Sequence, residues 1–160
     1  MPPASRLRCF SLALLCLGVL AACGRSQPQL ARPAARLHGP HLWVYIAPEA
    51  NQNSPVAVDF AVPTDKKLLK LLVQEPVAQW FAHRTQWELD NPGVLTVLSW
   101  QWVPGQTIAP IPLRLPHGAQ AVVVFANYHD PKAKPLVLIP GGHGLSLDLL
   151  AQGPAGHAVR

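Results

Sequence analysis

Seven histidines, eight carboxylates and three cysteines are the side chains of this chain with the reach to do chemistry, and their spacing decides which chemistry is open to them. A zinc site needs three or four ligands, each steadied by further hydrogen bonds. His38 and His41 are three apart, but Gly39-Pro40 lies between them and denies them a shared helical face. His117, His129 and His143 each fall in an expected loop and read as solvated histidines, so no metal site is expected. Ser146, in Gly144-Leu145-Ser146-Leu147-Asp148, lacks the second glycine of a nucleophile elbow and sits on a strand pattern. Gly141-Gly142-His143-Gly144 holds the letters of an oxyanion loop in the wrong order and reads as a hairpin connection. No Gly-x-x-x-x-Gly-Lys phosphate loop occurs. Among the carboxylates, Glu88 and Asp90 stand closest together, at a helix end. The expectation is a protein with no catalytic residue and no cofactor.

The side chain with a definite chemical task is the Cys23 thiol. Arg6 and Arg8 precede an apolar run that begins at Phe10 and closes on Leu20-Ala21-Ala22. A positive segment, a short apolar segment and small residues together read as a secretory signal. Small side chains suit a cleavage site because a peptidase groove must admit the backbone at close range. Leu20-Ala21-Ala22-Cys23 resembles the lipobox of bacterial lipoproteins, which implies that the thiol takes a diacylglycerol and becomes the new N-terminus after cleavage. Three acyl chains, at about 0.8 kcal/mol per buried CH₂, would make the anchor effectively permanent. Gly24 in place of Asp resembles lipoproteins sent to the outer membrane. A plain secretory signal or a short membrane anchor is the competing reading.

Loss of residues 1–22 leaves 138 residues, one domain by size. Arg6 and Arg8 leave too, so 11 Lys and Arg face 8 Asp and Glu, a balance of +3 rather than +5. The positive residues are scattered apart from Lys66, Lys67 and Lys70, which argues against a nucleic-acid partner. All three cysteines lie at or before position 23, so the folded part has no thiol for a disulfide and must stand on its core. Residues 23–40 carry prolines, glycines and arginines without an apolar period and read as a lipidated flexible tether. The folded domain is expected over 41–150 and a flexible tail over 151–160.

Within that domain, Leu42 to Ile46 is a β-type run, and Val56, Val58, Phe60 and Val62 alternate with smaller or polar residues. Thr64-Asp65 supplies a helix cap before Lys66–Gln74. Pro76 ends that helix and is able to open a second one carrying Val77, Trp80, Phe81, Arg84 and Trp87. After Asn91-Pro92-Gly93 the chain is β-rich. Trp100 and Trp102 share the apolar face of one strand and are expected in the core. Pro110 and Pro112 have the same parity, so their missing N–H groups lie along one side and place residues 109–115 at a sheet edge. Ala119 to Tyr128 is apolar on both faces and reads as a central strand. Seven to eight short strands with a helical insert after the second predict a mainly β fold, an antiparallel β-sandwich.

Taken in order, these features resemble the outer-membrane lipoprotein of the bacterial type VI secretion system, the TssJ family. The residues that carry the resemblance are Leu20-Ala21-Ala22-Cys23, Ser54 to Phe60, the leucine-rich insert from Lys66, Val103-Pro104-Gly105-Gln106, and Val122 to Asp130. The last is similar to that family's apolar strand ending in Ala-x-Tyr-x-Asp. The insert, with its second helix, is longer than the family's single one, and the closing strands lack an expected tryptophan. The resemblance implies a sandwich anchored to the outer membrane that binds an inner-membrane secretion partner, TssM. It also implies contact through the loop between the first two strands, here Pro48, Glu49, Ala50, Asn51, Gln52, Asn53 and Ser54. A lipoprotein that binds a small molecule, sugar or peptidoglycan is the alternative, and it would display exposed tryptophans around a concave site.

Overall fold

The computed structural model describes residues 39–130 and 132–160. Cys23, the signal and most of the expected tether lie outside the described residues. Eight strands follow in the order β1 (His41–Ile46), β2 (Val56–Pro63), β3 (Leu95–Trp102), β4 (Ile111–Pro112), β5 (Val122–Ala126), β6 (Leu136–Leu138), β7 (Gly144–Leu149) and β8 (Pro154–Val159). Helices α1 (Lys66–Gln74) and α2 (Val77–Asp90) fall between β2 and β3. One sheet has the order β4-β1-β7-β8 and the other β3-β2-β5-β6, so the expected sandwich with its insert after the second strand is what forms.

Alternation in β2 separates two cores. Val56, Val58, Phe60 and Val62 face the opposing sheet and pack with Leu42, Leu145 and Leu147. Ala61 faces the other way, with Val123 and Phe125 of β5, under Leu68, Leu72, Val77 and Trp80 of the helices. Burial on both faces is why β5 is apolar at every position. Asp65 caps α1, its Oδ1 accepting from Lys67 N–H at 2.8 Å and Leu68 N–H at 2.9 Å. Glu75 is extended ahead of Pro76, which breaks the insert into two helices. The face of α2 that meets the sheet is locked by polarity as well as by packing. Asp59, buried on β2, accepts from Trp80 Nε1–H at 2.9 Å and pairs with Arg84 at 3.4 Å. Trp80 lies flat on Phe125, centroids 4.3 Å apart.

Three particulars differ from expectation. First, the proline-bearing strand is at the sheet edge, but only Ile111–Pro112 pair with β1. Leu113 N–H donates to Pro40 C=O at 2.9 Å, so the odd positions face β1 and both prolines face outward. Second, β1 and β7 run parallel, from His41 opposite Gly144 to Ile46 opposite Leu149. The intervening chain builds the whole of the other sheet, so no hairpin constrains this pair to be antiparallel. Third, the tail expected to be loose forms β8, paired with β7 along all six residues. Its composition, Pro-Ala-Gly-His-Ala-Val, hides this because the strand is built for close approach rather than alternation. A Cβ on Gly156 would meet Ser146 O at 2.6 Å and the Leu138 methyls at 3.3 Å.

Candidate functional site

The β1–β2 loop closes one end of the sandwich, and its backbone is unusual. Asn51, Gln52 and Asn53 have φ of 47°, 56° and 61° within a 3₁₀ turn over Ala50–Asn53. Asn tolerates the left-handed region and Gln does so less readily, so tertiary contacts must hold the turn. Asn51 supplies them. Its side chain is buried, its Nδ2 donates to Pro55 C=O at 3.2 Å, and its Oδ1 accepts from His129 N–H at 2.7 Å. That last bond ties the loop to the one after β5.

Tyr128 secures the opposite wall, donating from its hydroxyl to Leu150 C=O at 2.8 Å. Burial pushes its phenol from 10.0 up to about 12, because the charged form would lose its water. Asp130 folds the next turn by accepting from Lys132 N–H at 2.9 Å. The result is an open cleft between Glu49, Gln52, His129, Asp130 and Gln152, with Tyr128 and Asn51 at its base. Val103, half exposed, stands on the turn beside Pro48, and Leu150 stands beside the cleft. The site presents carboxylates, amides and a few apolar contacts on a braced scaffold. Such a surface suits a protein partner better than an enclosed ligand.

The seven predicted loop residues divide. Pro48, Glu49, Gln52 and Asn53 are exposed, Ser54 is half-buried, and Ala50 and Asn51 are buried and hold the loop rather than offering it. Tyr128, His129, Asp130 and Gln152 join them across the fold, a juxtaposition with no signal in local sequence. His129 lies at this end and His143 at the other, so they cannot share a metal. Among the described residues no group of three metal-binding side chains forms. Trp80 and Trp102 are buried, and Trp100 stacks on Trp102 with centroids 5.6 Å apart. Trp43, half-buried, and Tyr45, exposed, lie on the outer face of β1, the face turned away from the core.

No family model and no curated protein matches this sequence. Solved structures do. The type VI secretion lipoprotein TssJ1 from Pseudomonas aeruginosa superposes with a TM-score of 0.58 at 20% identity, covering 74% of this chain and 93% of that one. This chain has the TssJ1 fold. Lip from Serratia marcescens, a membrane-bound component of the type VI secretion system, gives 0.56 at 14% identity over 76% of this chain and 97% of Lip. A chain of a type VI membrane complex gives 0.52 at 13% identity, over 75% and 98%. The TssJ1-like part therefore accounts for nearly the whole of each relative, and the expected sandwich class stands.

Proposed function

We propose that this protein is an outer-membrane-anchored, periplasmic lipoprotein of the TssJ type. It serves as a non-enzymatic assembly component of a type VI-like secretion membrane complex. The observation that carries this reading is the shared fold across three quarters of the chain. Leu20-Ala21-Ala22-Cys23 ahead of that fold supports the anchor. Acylated Cys23 inserts into outer-membrane lipid, and the domain stands on the periplasmic face. The braced loop end, with Glu49, Gln52 and Asn53 outward, docks the periplasmic part of a TssM-like inner-membrane protein.

Crosslinked capture from cells tests this. Glu49→Lys with Gln52→Lys, both exposed, should reduce recovery of an inner-membrane secretion protein without changing the domain's melting temperature. Undiminished recovery would overturn the assignment of the loop. Recovery of no secretion protein by the native chain would overturn the assembly role.

A further inference from the structure

The end opposite the partner loop has its own character. The described chain begins here, since β1 runs away from Gly39-Pro40 toward the β1–β2 loop. Four segments are wired together at this point. His41 N–H donates to His143 C=O at 2.8 Å, His143 N–H to Val159 C=O at 3.2 Å, and Leu113 N–H to Pro40 C=O. A tight turn joins Gly141 and Gly144 through bonds of 3.3 and 3.2 Å. Side chains are excluded at both glycines, by Val159 O at Gly141 and by the His41 backbone at Gly144. The β6–β7 loop is thus a braced tip, and at its start Ile139 is 70% exposed. Ile139 is thus displayed on a fixed tip, available to an apolar layer brought to this end.

Two arginines stand at this end. His143 and Arg160 line a shallow cleft with Gly39, His41, Trp43 and Val159. Arg114, exposed, extends the β4 register past His41, and so lies beside Gly39. Among the described residues no Asp or Glu side chain belongs to the loops of this sheet at this end. Asp65, Glu88 and Asp90 lie in the helical insert at the same end, beside Lys66 and Lys67. What covers the patch follows from where the chain outside the described residues is attached. Residues 24–40 reach at most roughly 55 Å from Cys23. A bilayer holding Cys23 is therefore kept at high effective concentration near the end where the chain from Cys23 joins. A contact too weak to recruit a free protein is occupied under such tethering.

We propose that this end of the sandwich rests on the bilayer, with Ile139 entering the headgroup layer and Arg114, His143 and Arg160 meeting anionic lipid phosphates. The contact rests on the lipid-anchored reading of Cys23. It sets the domain upright, with the β1–β2 loop pointing away from the membrane toward its partner. Arginines near an anionic surface and an apolar tip inserted beside them reinforce each other.

The full lipidated chain bearing Ile139→Cys, labelled with a nitroxide, tests this in vesicles of phosphatidylethanolamine with a minority of phosphatidylglycerol. Acylation of Cys23 and loss of the signal leave position 139 as the sole thiol. Gln52→Cys at the far end is the control. The label at 139 should show severalfold greater accessibility to oxygen relative to a water-soluble nickel chelate than the label at 52. That difference should shrink in vesicles with phosphatidylcholine in place of phosphatidylglycerol, and in Arg114→Glu/Arg160→Glu. Equal, aqueous values at both positions would overturn the proposal, as would equal protection of position 139 in detergent without lipid, which would mean a protein covers it. N-terminal mass and vesicle flotation keep the two readings apart. An acylated, floating protein with an aqueous label at 139 defeats the contact alone, whereas an unacylated, non-floating one defeats the anchor and the contact with it.

Discussion

Asp59 shows how one buried residue can govern a whole insert. Its carboxylate accepts from the Trp80 indole and meets Arg84, whose guanidinium also reaches Ser99 on β3 at 3.4 Å. Asp59→Ala strands a buried Trp80 N–H and should cost about 1–3 kcal/mol, read as a lower midpoint in urea unfolding. Trp80→Phe removes the orphaned donor, so the double variant should lose less than the two single losses added together. Tyr128 makes a separate prediction in pH. Its folded pKa is raised above the unfolded 10.0 to about 12, so its contribution is complete below pH 10 and is lost as pH climbs through 12. Urea midpoints should therefore hold up to about pH 9 and then fall between pH 10 and 12. Tyr128→Phe should flatten that alkaline fall while lowering stability at pH 7, because Leu150 C=O loses its donor.

Strands and loops have separate vulnerabilities. β8 is held by close approach, so Gly156→Val drives a side chain into Ser146 O and the Leu138 methyls. It should destabilise the domain by about 1–3 kcal/mol, with hydrogen exchange quickening first along β7 and β8. Asn51→Ala breaks both bonds that hold the β1–β2 turn in its left-handed conformation. The expected outcome is a loss of about 1–3 kcal/mol and weaker capture of the secretion partner, since the exposed residues would no longer be presented together. Comparison with Glu49→Lys separates the effects, because that change should lower capture while leaving the urea midpoint unaltered. The alternation of β2 and the double-faced apolarity of β5 were both readable in advance, as was the outward parity of Pro110 and Pro112. Period and proline stereochemistry are local properties. β8 was not readable, since glycine and alanine chosen for proximity to a neighbour resemble the composition of a loose tail.

For the molecule as a whole, the proposed function gives the two ends of the sandwich different tasks. The chain from Cys23 joins at one end, and the cleft framed by Glu49, Gln52, Asp130 and Gln152 lies at the other. On the proposed function, Cys23→Ser should leave the domain folded with an unchanged melting temperature, release it from membranes on fractionation, and abolish secretion. Retained secretion by the released domain would contradict the anchoring role.

Sequence alone carries the expectation of a secretory leader with a lipid-bearing cysteine, and it determined the absence of any thiol beyond position 23, the strand periods and the capped, proline-split helical insert. Each of these depends on residues within a few positions of one another, where side-chain chemistry and backbone sterics act directly. Tertiary structure alone decided that β1 pairs with β7 in parallel, that residues 154–159 complete a sheet, and that Asn51 meets the backbone of His129. It also decided that Ala50 and Asn51 brace the loop while Glu49 and Gln52 face outward. Those outcomes depend on contacts between residues as many as 103 positions apart, His41 opposite Gly144, which form only once two sheets have closed over a common core.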